Sequence, residues 1–324
     1  MARAIRMHQH GGPDVLRWEE VDVARPTGAQ ALVRQSAVGL NFIDVYHRTG
    51  LYPVQLPSGI GLEAAGVVEA LGPDVRDLKV GDRVAYAGGP LGAYADRRLV
   101  PAGQLVVMPE GVDDRTAAAM MLKGMTAEYL LRRTVTVKHG DAILVHAAAG
   151  GVGLILCQWA STLGATVIGT VSTSAKAELA KSHGCHHPLI TTEGDWVARS
   201  REITGGKGVR VVYDSVGKDT FLRSLDCLAP RGMMALFGQS SGPVDPVNPG
   251  LLAAKGSLFL TRPSLMAYNA TRAELADSAA ALFEVVAAGK VRIEINQTYP
   301  LAEAARAHRD LEARKTTGST VLLP

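Results

Sequence analysis

The chain has 324 residues, 47% hydrophobic, 20% charged and 5% aromatic, and its 34 basic and 31 acidic side chains leave a formal charge of +3. That length predicts two domains, the composition excludes a disordered chain, and a charge so small and well mixed excludes a field strong enough to drive nucleic-acid or membrane binding. Cys157, Cys185 and Cys227 are odd in number, widely spaced and without a CxxC pair. This argues against a disulfide framework or a cysteine-rich zinc lobe and points to a reducing, cytoplasmic compartment. MARAIRMHQHGGPD at the start has no apolar core, and no stretch reaches the ~18 apolar residues of a membrane span, so neither an export signal nor a span is expected.

Up to about Gly124, short apolar runs alternate with turn signals such as Gly11-Gly12-Pro13, Gly72-Pro73-Asp74 and Gly88-Gly89-Pro90, the pattern of a turn-rich β domain. Strands are predicted at 31–40, 63–71 and 82–87. After Gly124 apolar strands alternate with longer amphipathic stretches, which predicts βαβ units around a parallel sheet. Five strands are expected, at 142–147, 166–171, 209–214, 233–238 and 257–261, with helices at 151–163, 174–182, 218–228, 276–289 and 302–314. STVLLP at the end reads as a strand returning to the first domain.

HAAAGGVGLILCQWA, beginning at His146, carries the strongest local signal. Ala148, Gly150 and Gly153 take the three small-residue positions of a dinucleotide fingerprint, between a strand and an apolar helix. Gly150 lets backbone approach a pyrophosphate, Gly153 lets helix pack on strand, and the helix N-terminus favours phosphate charge. The motif alone also fits a tight turn that binds nothing. Its place at the first strand of an alternating region favours the cofactor reading.

GTVSTSAK (169–176) ends the second of these strands, where an NAD site places an acid on the adenosine ribose, yet no Asp or Glu appears before Glu178. A carboxylate there would repel a 2′-phosphate. Ser172, Thr173 and Lys176 offer two hydroxyls and a cation instead, which suits NADP(H). A solvated lysine in a first helical turn is the plainer reading of Lys176.

GGPDVL (11–16), GLNFIDVYHRTGLY (39–52), PSGIGLEAAGVV (57–68), LKGMTAEYLL (122–131), HAAAGGVG, VVYDSVG (211–217) and TRPSL (261–265) occur in this order. With them the chain resembles, over essentially its whole length, the zinc-free NADPH:quinone oxidoreductases of the medium-chain dehydrogenase/reductase superfamily, the group that includes zeta-crystallin. The resemblance implies an α/β protein: a GroES-like β-rich catalytic domain, 1–123 and 265–324, with an inserted Rossmann domain, 124–264. It also implies a homodimer.

By the family pattern Asn41, Phe42, Ile43, Asp44, Val45, Thr126, Gly150, Gly151, Val152, Ser172, Thr173, Lys176, Phe237, Gly238, Gln239, Ser240, Arg262, Pro263, Ser264, Leu265 and Arg314 line the NADPH site. Thr191 stands where close relatives carry a tyrosine, so a stacking contribution to the adenosine pocket is missing.

Zinc alcohol dehydrogenases of this superfamily need a cysteine near Asn41 and a histidine within a Gly-His-Glu. Here these places read Leu40-Asn41-Phe42 and Gly61-Leu62-Glu63, so no metal site is expected. Without a Lewis acid, the acceptors within reach are electron-poor ones that spread the incoming charge themselves: a quinone, or the α,β-unsaturated carbonyl of an enoyl or alkenal substrate.

Asn41, Tyr46 and Tyr52 are the candidate catalytic residues, because the family pattern puts their segment at the interdomain cleft. Asn41 reads as a donor to a substrate oxygen, a partner of a ribose hydroxyl, or a turn-stabilising asparagine. The tyrosines read as phenol donors or ring-stacking partners, or as ordinary packing. Lys123 reads as a cleft anchor or a surface lysine, Glu63 as a structural carboxylate, and His186-His187 as loop. A structural or RNA-binding role for an NADPH-binding protein is the alternative of another class; the near-neutral charge weighs against nucleic acid.

Overall fold

The computed structural model describes residues 1–324. The chain forms two compact units, one of Met1–Met125, Asn269–Ala287 and Ile293–Pro324, the other of Thr126–Tyr268 and Ala288–Arg292. These limits shift the expected junctions at 123/124 and 264/265, and the excursion at 288–292 is new. Its cause is local: the buried Gln158 amide donates to Arg292 O (3.0 Å) and accepts from Arg292 N–H (2.9 Å).

The first unit is β-rich. Its main sheet runs in the order Ile295–Pro300, Ser319–Leu323, Gln30–Leu40, Glu63–Leu71, Arg83–Ala87 and Val106–Val107, with Arg97–Pro101 also paired to Gln30–Leu40. The C-terminal strand thus returns to this unit, Thr320 facing Leu40 in antiparallel register. A smaller sheet joins Arg17–Val21, Ala2–Met7 and Ser58–Gly59. Ile5, Met7, Val33, Val38, Ile60, Val68, Tyr86 and Tyr94 form the core between them, each side chain contributing about 1.5–3 kcal/mol by leaving water.

The second unit is a six-stranded parallel sheet in the order His187–Ile190, Thr166–Val171, Ala142–Val145, Val209–Asp214, Leu228–Leu236 and Phe259–Thr261. Strands covered on both faces read as unbroken apolar runs, which is why AILV, TVIGTV and VRVVYD are visible in the sequence. The five-strand expectation is one short. His187 opens the missing strand rather than lying in a loop, and its neighbour His186 accepts a hydrogen bond from Val167 N–H (3.0 Å). Helices Asp114–Tyr129 and Trp196–Ile203 were also unforeseen. All three cysteines are buried free thiols, and no helix is long and apolar enough to cross a membrane.

Candidate active site

In the second unit the anticipated cofactor residues gather along one edge, the carboxyl ends of the parallel strands, where open α/β sheets bind ligands. The turn after Ala142–Val145 is fixed by Ala148 N–H to Thr170 O (3.0 Å) and Gly150 N–H to Ala147 O (2.9 Å). Ala147 sits at φ 51°, a left-handed conformation costing an L-residue about 1–2 kcal/mol. A Cβ on Gly153 would lie 2.3 Å from Ala147 O, so only glycine lets helix Gly151–Thr162 start this close to its strand.

No side chain caps that helix at Gly150. The first-turn amides of Gly151, Val152 and Gly153 have no intrahelical partners, and together they form an anion-binding end. The donor set therefore fits a pyrophosphate.

Next along the edge, Thr173 caps helix Ser174–Lys181, its Oγ1 accepting from Lys176 N–H at 3.3 Å. The hydroxyls of Ser172 and Thr173, both exposed, stand at the strand end, with half-buried Lys176 in the first turn of the helix. Thr191 joins them, its N–H bonded to Val171 O (2.9 Å). No carboxylate enters this turn.

Phe237 and Gly238 both donate to Asp214 O (2.9 and 3.2 Å), and Ser240 N–H donates to Ser215 O (3.0 Å). Arg262 reaches back to Leu236 O (2.9 Å). Gln239 follows strand Leu228–Leu236, Pro263 and Ser264 follow strand Phe259–Thr261, Leu265 opens helix Leu265–Tyr268, and Thr126 is buried in helix Asp114–Tyr129. Open depressions of about 400 and 480 Å³, lined in part by Asp141, Lys138, Arg210 and Arg231, lie toward the amino ends of these strands and have no part in this edge.

The remaining candidates belong to the first unit. Asn41 ends strand Gln30–Leu40 and caps helix Phe42–Thr49. Its backbone N–H donates to Asp44 Oδ2 (2.9 Å) and its Nδ2 to Glu63 Oε2 (2.7 Å). Glu63 can only accept, so the amide orientation is settled. The second amide hydrogen points to Gly39 O at 3.5 Å, and the oxygen keeps acceptor capacity. That oxygen suits a ribose hydroxyl.

The Asp44 side chain points into the interior. It is fully buried, accepts from Tyr94 O–H (2.9 Å) as well as Asn41, and leaves Oδ1 with no partner. Burial, with no cation in contact, pushes its carboxyl up to about 7, against the pull of the Asn41 and Tyr94 hydrogen bonds. Val45 is likewise buried, and Ile43 partly so.

The Phe42, Tyr46 and Tyr52 rings form a tilted run, with centroids 5.5 and 5.1 Å apart. Tyr46 is buried between the half-exposed Phe42 and Tyr52. Arg314 is exposed in the turn between Ala304–Glu312 and Ser319–Leu323, at φ 58°.

Lys123 is no surface lysine. It is 6% exposed inside helix Asp114–Tyr129, its Nζ 3.2 Å from Glu63 Oε2. The other Glu63 oxygen accepts Leu122 N–H (2.7 Å). A Cβ on Gly39 would fall 2.2 Å from both Glu63 Oε2 and Ala118 O, so this glycine is what admits the carboxylate. Both oxygens are in use and Leu62 is apolar, so the donor set offers a metal no vacant ligand.

Family models match two segments, an alcohol dehydrogenase GroES-like domain over residues 27–110 and a zinc-binding dehydrogenase over 151–281. Quinone oxidoreductase from Pseudomonas aeruginosa is 54% identical, with 100% of each chain covered. This chain belongs to the quinone oxidoreductase family of the medium-chain dehydrogenases/reductases. The crystal structure of Escherichia coli quinone oxidoreductase complexed with NADPH superposes with a TM-score of 0.98 at 50% identity, covering 100% of both chains. A 2-haloacrylate reductase from Burkholderia is also 50% identical, over 100% of this chain and 99% of its own.

Proposed function

We propose that this family member is an NADPH-dependent quinone reductase that works without a metal. The observation that carries the reading is the acid-free turn Ser172–Lys176 beside an uncapped Gly150 helix end, in a chain similar throughout its length to quinone oxidoreductases. When bound, NADPH supplies the hydride. The amides of Gly151, Val152 and Gly153 hold its pyrophosphate, Ser172, Thr173 and Lys176 its 2′-phosphate, and Asn41 Oδ1 a ribose hydroxyl. Phe42, Tyr46 and Tyr52 receive the flat acceptor ring.

Lys176→Ala is expected to weaken NADPH by about 1.5–3 kcal/mol, roughly ten- to a hundredfold, while NADH changes little. Equal weakening of both in a fluorescence titration removes the 2′-phosphate role.

Reduction of a 2-alkenoate or 2-alkenal is the second reading, favoured by the likeness to 2-haloacrylate reductase. Steady-state turnover of benzoquinone and naphthoquinone against 2-haloacrylate and 2-alkenals separates the two, and turnover of the alkenes alone overturns the quinone assignment. We also read the protein as a cytoplasmic homodimer. Phe259 and Leu260, 56% and 40% exposed on the unpaired edge strand of the parallel sheet, support an association there. A sedimentation mass twice that of the chain is the expected result.

A further inference from the structure

Quinone reduction delivers a hydride and then needs a proton, because the acceptor oxygen is left as a phenolate. Of the polar groups gathered around Asn41, neither the amide nor the Asp44 and Glu63 carboxyls is placed to supply it. Asn41 turns its two amide hydrogens to Glu63 Oε2 (2.7 Å) and Gly39 O (3.5 Å), and the Asp44 and Glu63 carboxyls face inward onto donors of their own.

Beside Asn41 and Glu63, one buried donor keeps capacity. The Lys123 ammonium has three N–H bonds and a single acceptor in the chain, Glu63 Oε2 at 3.2 Å. Asn41 Nδ2 donates to that same oxygen at 2.7 Å, so Nζ and the Asn41 amide lie within about 6 Å of each other, bridged by one carboxylate oxygen. Asn41 opens the helix that carries Phe42 and Tyr46.

The two segments where zinc dehydrogenases of this superfamily keep cysteine and histidine, around Asn41 and Leu62, therefore meet at a lysine ammonium. We propose that Lys123 is the catalytic proton donor: its Nζ–H hydrogen-bonds the acceptor oxygen and protonates it as the hydride arrives. The inference rests on the reading of the chain as a metal-free quinone reductase.

In the step, hydride addition leaves an electron pair on the quinone oxygen. An O–H bond forms from that pair, the Nζ–H bond breaks with its electrons staying on nitrogen, and the neutral amine regains a proton from solvent. Phenols and alkylammonium ions lose protons at similar pH in water, so such a transfer runs close to even. Glu63 acts as a positioning residue, holding the ammonium by charge. Gly39 leaves room for it.

Three proteins test this: the full-length wild type, Lys123→Met, and the double variant Lys123→Met/Glu63→Gln, which leaves no unpaired buried charge if the single variant fails to fold. Both variants are expected to lose about 10²–10⁴-fold in kcat/KM for benzoquinone, with NADPH affinity of Lys123→Met, which keeps Glu63 and its bond to Asn41, within about twofold of wild type. A double variant that keeps kcat/KM within about threefold overturns the proposal.

The second readout needs no turnover. 4-Nitrophenol, a stand-in for the product oxyanion, is titrated by absorbance with NADP⁺ present. Wild type is expected to lower the bound phenol's pKa by at least about one unit, and the variants are expected not to. No binding to wild type, or equal ionisation in all three proteins, overturns the role of Lys123. Failure of the quinone reading shows separately, as wild-type protein that turns over no quinone yet still ionises the bound phenol.

Discussion

Arg48→Met is expected to destabilise the protein by about 3–5 kcal/mol, the range for removing one partner from a buried ion pair. The Arg48 side chain is 1% exposed and every face of its guanidinium is used. Two nitrogens hold Glu312 at 2.8 Å each, Nη1 also donates to His308 Nδ1 (3.0 Å), and Nε donates to Gly11 O (3.0 Å). Methionine fills similar volume but strands three acceptors. Lysine restores the charge without the planar fork, so Arg48→Lys is expected to recover only part of the loss. Glu312→Gln costs less, because a carboxylate 33% exposed can turn to water. Urea midpoints measure all three, and an Arg48→Met midpoint within about 1 kcal/mol of wild type would falsify the account.

Arg48 shows where sequence reading stops. Its partners lie 260 and 264 positions away, and nothing in FIDVYHRT marks one arginine as interior. Lys123 escaped for a related reason. AAAMMLKGM is apolar but for its lysine, with a glycine inside, and from Ala117 on helix Asp114–Tyr129 is buried on nearly every face, so no 3.6-residue period marks the lysine. That glycine has a tertiary cause: a Cβ on Gly124 would meet Leu282 at 2.4 Å.

Strand His187–Ile190 was hidden by Pro188, which argues against a central strand. The structure makes it an edge strand, where a proline is tolerated. What was legible rests on local backbone demands. The glycine turn at 147–153 and the acid-free end of Thr166–Val171 state their geometry within eight residues, whereas the Lys123–Glu63–Asn41 cluster is assembled by three distant segments.

The same interior sets the pH dependence of stability, and Asp44→Asn is expected to change its shape. Burial raises the Asp44 carboxyl from 3.8 to about 7. The folded state then holds a proton that the unfolded chain releases, so stability falls as pH rises from about 4 to 7, by on the order of 4 kcal/mol in all. His308 works in the opposite sense. Burial first, then the Arg48 charge, lowers it from 6.5 to about 3, and here the unfolded chain holds the extra proton. Its contribution grows as pH rises from about 3 to 6.5, by a similar amount.

The two groups are joined through Tyr94, which donates to Asp44 Oδ2 at 2.9 Å and meets His308 Nε2 at 3.1 Å. Arg48 must donate to His308 Nδ1, so Nε2 carries the ring proton toward Tyr94 and every bond in the chain is oriented. In wild type the opposing slopes cancel over about pH 4 to 6.5. Asparagine keeps an acceptor for Asn41 N–H and Tyr94 O–H but does not ionise. Asp44→Asn is therefore expected to gain stability steadily over that interval and to exceed wild type at pH 8. The charges of Glu63, Lys123 and Arg48 remain in both proteins and drop out of the comparison. Parallel wild-type and variant profiles of urea midpoint against pH would show that Asp44 is ionised in the fold, and would remove both its raised pKa and the cancellation built on it.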